Sequence, residues 1–135
     1  MELTTWFPGY PQSLSQIRRL IRQLAVERRL PSDATEDLVL AGSEVAGYLV
    51  SRTGVRELKL KWTSLHDGAE VELEVDGVFP NSGLGQEPYE SLPLINAVVN
   101  EASMAESVVG RPRTTFRLVK RLPRATGVFS TARVA

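Results

Sequence analysis

Glu44 and Tyr48 stand one helical step apart in the stretch Ser43 to Arg52, SEVAGYLVSR. At a spacing of i and i+4, a carboxylate and a phenol share one face of a helix. A carboxylate so placed can act on a ligand only if it meets a cavity rather than bulk water. Gly47 between them is unexpected in a helix interior, where it costs roughly 1 kcal/mol against alanine. Either this helix borders a ligand cavity, or it is an amphipathic helix whose glutamate reaches solvent. Few other residues compete for chemistry. The absence of cysteine excludes disulfides and cysteine zinc sites, and a single histidine, His66, excludes a histidine-rich metal centre. His66-Asp67-Gly68 carries a turn signal, so His66 reads as an exposed loop residue rather than a catalytic base. Gly83-Leu84-Gly85 is a glycine pair of a kind common in plain turns.

The elements that must position these residues are legible from periodicity. Met1 to Phe7 is rich in β-formers and stops at Pro8-Gly9, which predicts a short first strand. From Ser13 to Leu30, Leu14, Ile17, Leu20, Ile21 and Leu24 recur at helical steps, with Arg18, Arg19, Arg22, Arg28 and Arg29 on the outer surface. Pro31-Ser32-Asp33 breaks the chain, and Asp33 with Glu36 has the spacing of a capping box for a second helix. Leu38, Ala41, Gly42, Val45 and Leu49 form its core stripe, and Gly54 is placed to close it in a left-handed conformation.

Leu58, Leu60 and Trp62 alternate with Lys59 and Lys61, while Val71, Leu73 and Val75 alternate with Glu70, Glu72, Glu74 and Asp76. Two half-buried strands joined by the Asp-Gly turn make an antiparallel hairpin, with lysines opposite glutamates. Gly77 to Tyr89 is a long irregular segment, a lid or a surface loop. Ser91 to Glu106 places Leu92, Ile95, Val98 and Val99 at helical steps, with Pro93 in the first turn. Thr114 to Leu122 alternates Phe116 and Leu118 with Arg117, a last strand. These elements predict an α+β fold, a two-layer α/β sandwich with helices on one face of a mainly antiparallel sheet. Residues 1–122 form the one domain and 123–135 a C-terminal tail.

Composition narrows the function classes. At 135 residues the chain can bury a genuine core as one domain. Sixteen basic residues balance sixteen acidic ones, so no net field draws it to nucleic acid or to an anionic membrane. No window approaches the ~18 apolar residues of a membrane-spanning helix, and a secretory leader is not apparent. A soluble cytoplasmic protein is the expectation.

The order of elements and three stretches together resemble the histidine-kinase-like ATPase superfamily. Within it they resemble the small bacterial anti-sigma-factor serine kinases that work by partner switching. SEVAGYLVSR stands where that family has its Glu-x-x-x-Asn helix, written SELVTNAxxHA. VELEVDG stands where a strand ends in the family's adenine-binding Asp and a Gly, and SLPLINAVVNEA where it has GxGLxLI/V and a helix. GRPRTTFRLVKRL resembles the closing strand, and the likeness spans roughly residues 3 to 122.

The resemblance implies roles residue by residue. Glu44 takes the position of the general base, and Asp76 with Gly77 the adenine site. The magnesium-binding Asn falls on Tyr48 and the family's His on Arg52. A phenol on a bulky ring is a poor substitute for an amide carbonyl in an octahedral magnesium site. After Gly77 the next family glycine is missing, and the phosphate-loop glycines fall on Tyr89 and Ser91. Side chains there crowd the backbone N–H groups that would approach phosphate.

ATP and magnesium are thus the cofactors the resemblance implies, and the substitutions argue against both. The expectation is an anti-sigma-factor-like regulator with a degenerate ATP site, working by protein–protein binding. The alternative is an active ATP-dependent serine/threonine kinase that phosphorylates an anti-sigma antagonist. Partners implied by the resemblance are a sigma factor or an anti-sigma antagonist, bound around the first helix, and a second copy in a homodimer. Arg18, Arg19 and Arg22 are the candidate partner surface. Direct nucleic-acid binding through the first helix is disfavoured by zero net charge.

Overall fold

The chain's computed structural model describes residues 1–52, 55–79, 92–107 and 110–123. In order they form β1 (Glu2–Pro8), α1 (Ser13–Glu27), α2 (Ser32–Ser51), β2 (Glu57–Leu65), β3 (Glu70–Val78), α3 (Leu92–Val98), β4 (Glu101–Ser107) and β5 (Arg113–Arg121). The five strands make one sheet in the order β1-β2-β3-β5-β4, and every pairing is antiparallel. Alternation on the strands decides which side is covered. Leu58, Leu60 and Trp62 of β2, Val71, Leu73 and Val75 of β3, and Phe116 and Leu118 of β5 are buried in one cluster. Against them lie Ile17, Ile21 and Leu24 of α1 and Leu38, Val45 and Leu49 of α2. This is the expected sandwich of a helical layer on a mainly antiparallel sheet.

The opposite face of the sheet is charged. Register places Lys59 opposite Asp76 and Lys61 opposite Glu74, as the alternation predicts. Further pairs cross the face, including Arg117 with Glu72 at 3.1 Å and Arg121 with Glu70 at 3.4 Å. The arginines of these two pairs reach solvent, so each pair contributes about 0–1 kcal/mol, and the core rather than this face holds the fold.

Several local expectations are corrected. The helical run from Ser91 to Glu106 ends at Val98 in α3; Glu101–Ser107 is instead β4, a strand on the edge of the sheet. Helical spacing holds as far as Val98, and beyond it pairing with β5 overrides the helix preference of EASMAES. The capping box at α2 is not formed, since no side chain caps that helix and Glu36 turns to Arg22 at 2.8 Å. Thr35 instead donates its hydroxyl to the Pro31 carbonyl at 3.0 Å. Helix α1 stops at Glu27, so Arg28 and Arg29 leave its surface and form the turn after it. Gly77 and Val78 belong to β3 rather than to the long loop. Gly54, Gly83-Leu84-Gly85, Tyr89, Ser91, most of the long loop and tail residues 124–135 lie outside the described residues.

Candidate functional site

The candidate site lies where the second half of α2 crosses the end of β3 and the start of β5. Along α2, Leu40, Glu44, Gly47, Tyr48 and Ser51 follow at helical steps on the less buried flank. Glu44 is half-buried and has no hydrogen-bond or ion-pair partner among the described residues. Tyr48 is engaged on three sides. Its ring meets Phe116 edge-on, with centroids 5.7 Å apart and planes at 83°. The Arg52 guanidinium lies 5.3 Å from the ring centroid and donates to the Tyr48 hydroxyl. Cation–π contact and hydrogen bond together fix the phenol.

Strand alternation separates the carboxylates. Val75 and Gly77 face α2, because a Cβ added at Gly77 would stand 2.9 Å from Leu49 Cδ2. Asp76 between them therefore projects from the opposite face of the sheet. There its Oδ2 lies 3.4 Å from Lys59 Nζ, and its side chain is 5% exposed. Lys59 in turn lies 5.5 Å from the Trp6 ring centroid. Asp76 Oδ1 is buried without a hydrogen-bond partner among the described residues, a cost partly offset by the lysine. Glu44 and Asp76 are thus on different sides of the sheet and share no cavity.

The inward position of β3 at this level carries no side chain. Gly77 pairs with Thr114 of β5, and Leu49, fully buried, occupies the space over the glycine. Thr114 is 1% exposed, and its hydroxyl has no hydrogen-bond partner among the described residues. Two participants were not singled out from the sequence. Leu49 appeared only as a core residue and Thr114 only as a strand start. The signal for the carboxylate was available, since extending Val71, Leu73, Val75 by two residues reaches Gly77 and leaves Asp76 out of phase.

The arginines divide. Arg19 is exposed, Arg18 is half-buried, and Arg22 is bound to Glu36 through Nη2 at 2.8 Å and Nε at 3.3 Å. That hydrogen bond, with the charge of Glu36, raises the Arg22 guanidinium above its ordinary value. Ser91 lies outside the described residues. Among the described residues no cluster of His, Asp and Glu could hold a metal ion, and no helix is long and apolar enough to cross a membrane.

No protein-family model matches the sequence, and no curated protein matches it. Among solved structures, the chain is similar to the RsbU and RsbW domains of Rv1364c from Mycobacterium tuberculosis, with a TM-score of 0.69 and 19% identity. The match covers 92% of this chain and 33% of the other, so the chain spans about a third of that protein's length. At this identity the likeness carries the architecture only: the chain has the fold of a segment of that two-domain structure, an α+β sandwich of the type the sequence resemblance predicts.

Proposed function

We propose that the chain is a cytoplasmic, anti-sigma-factor-like regulator that acts by binding a protein partner and whose nucleotide cleft is closed. One observation carries this reading: Leu49 packs over Gly77, the residue that the resemblance assigns to the adenine site. The neighbouring residues support it. Tyr48, at the position of the magnesium-binding amide, is committed to Arg52 and Phe116. Asp76, at the position of the adenine carboxylate, is turned to Lys59 on the other face. These residues do not fit a magnesium nucleotide, and no catalytic step is derived through one.

Calorimetry with Mg-ATP and with ADP tests the reading. No heat of binding is expected at micromolar protein; micromolar, magnesium-dependent binding overturns it. The partner surface is the α1 face around Arg18 and Arg19, with Arg22 restrained by Glu36. Its partner is a sigma factor or an anti-sigma antagonist, and a second copy of the chain is a further candidate. Recovery of the partner from the native host should fall when Arg18, Arg19 and Arg22 are changed to Glu, and unchanged recovery removes this surface.

The second reading, an active serine/threonine kinase, draws on the free Glu44 carboxylate, which remains available as a base. It requires phosphate transfer to a partner protein that disappears in Glu44→Ala. Positioning of metal and phosphate dominates such catalysis, which is why the filled corner weighs against it.

A further inference from the structure

A cleft of about 400 Å³ opens at the other end of the sheet. It lies among the α1–α2 turn, the β2–β3 hairpin and the end of β5, about 20 Å along the strands from Gly77 and Thr114. Its walls combine Arg28, Arg29 and His66 with the apolar Leu30, Pro31 and Leu122. One carboxylate, Asp67, also borders it. Arg28 is a fixed part of the wall. It approaches the Leu24 carbonyl at 3.5 Å, Met1 Sδ at 3.1 Å and Glu27 at 3.6 Å. Arg29 and His66 are exposed, and their side chains have no partner among the described residues.

The backbone here is unusual. Among the described residues three non-glycine residues have positive φ: Arg29 at 56°, His66 at 54° and Asp67 at 57°. All three line this cleft. Arg29 occupies the left-handed position that ends α1, where Leu30 N–H bonds to the Ala25 carbonyl and Arg29 N–H to the Val26 carbonyl, both at 3.0 Å. Glycine adopts that conformation without steric cost, whereas arginine does not. The helix end and the hairpin turn both call for this conformation, and residues other than glycine that hold it cluster at binding sites.

We propose that this cleft binds a small phosphate monoester. Arg29 and His66 hold the dianionic head, with Arg28 behind them, and the organic part lies along Leu30, Pro31 and Leu122. Three donor-bearing groups against one carboxylate match a dianion with three acceptor oxygens better than a carboxylate with two. A cleft of this size matches a small molecule. The proposal is independent of the closed corner and stands whether or not that corner binds nucleotide.

Titration with phenyl phosphate, followed by amide chemical shifts and calorimetry, tests it. Saturable one-site shifts are expected at Leu30, Gly68 and Ala69, with Gly77 and Thr114 unmoved. Arg29→Gly should weaken binding at least about tenfold while its Tm stays equal to or above the parent's, which separates ligand binding from folding. His66→Asn, which tolerates the same backbone, should weaken binding severalfold. Benzoate should bind at least about tenfold more weakly than phenyl phosphate. No saturable shift, undiminished binding in Arg29→Gly, or equal binding of benzoate overturns the proposal. Shifts centred on Gly77 and Thr114 overturn it too, and would also count against the closed corner.

Discussion

The same strands β2, β3 and β5 run through both ends of the sheet, and the two ends differ in what α-helical side chains do there. At the end near Thr114, Leu49 covers Gly77, and Tyr48 meets Phe116 edge-on and carries Arg52, so helix side chains fill the space over the strands. At the hairpin end the chain leaves α1 through Arg28 and Arg29 before α2 begins, and a cleft of about 400 Å³ remains. A ligand site in this architecture is therefore decided by a handful of side chains over a shared scaffold. Fold and site are separable, and likeness of the first does not transfer the second.

The comparison can be broken most forcefully at Leu49. It is fully buried, and Leu49→Ala should cost about 2–5 kcal/mol in denaturant unfolding at unchanged m-value. A loss under 1 kcal/mol would mean that the corner is loosely packed and not closed. Gly77→Ala comes next. Its Cβ would meet Leu49 Cδ2 at 2.9 Å, so a loss of about 1–3 kcal/mol is expected, less if the leucine rotates away.

Gly47 sharpens the contrast in the other direction. A Cβ there would stand 4.0 Å from Leu14 Cδ1, an ordinary contact, so Gly47→Ala should stabilise by up to about 1 kcal/mol. The glycine beside the candidate base is then a helix defect without a packing reason. Gly42 should behave oppositely, since its Cβ would stand 2.6 Å from Ile21 Cδ1; Gly42→Ala should lower Tm where Gly47→Ala raises it.

The smallest effect belongs to the charged face. Lys61 is held above the ordinary lysine value first by its hydrogen bond to Glu2, then by the charges of Glu2 and Glu74. A folded value above the unfolded one gives a contribution that is complete below the unfolded value. It is lost as pH rises through the folded value, in the alkaline range beyond ordinary lysine. The group is exposed, so Lys61→Met should leave Tm at neutral pH nearly unchanged, and any difference should vanish in high salt.

Much of this molecule was legible because its core residues keep strict periods. Leu38, Ala41, Gly42, Val45 and Leu49 on α2 are all buried as their helical spacing predicts, and so are Leu58, Leu60, Trp62, Val71, Leu73 and Val75 on the hairpin. What failed was governed by distant contacts. β4 consists of Glu, Ala, Ser and Met, residues with no strand preference, and only the neighbouring β5 makes it extended. Glu36 had the spacing of a cap but found Arg22 on another helix. At the candidate site the resemblance assigned Asp76 to an adenine position without fixing its orientation, and the two-residue period of the strand puts it on the face opposite Glu44.

The strand order has a consequence for how the chain comes together. β5 is inserted between β3 and β4, and its partners on β3 are remote in sequence: Glu70 meets Arg121 and Val78 meets Arg113. A ribosome must therefore release everything up to β5 before the middle of the sheet can close. Until then β3 carries an unpaired flank rich in valine and leucine, open to the wrong neighbour. Late closure of the central sheet is built into this topology, whatever the finished protein binds.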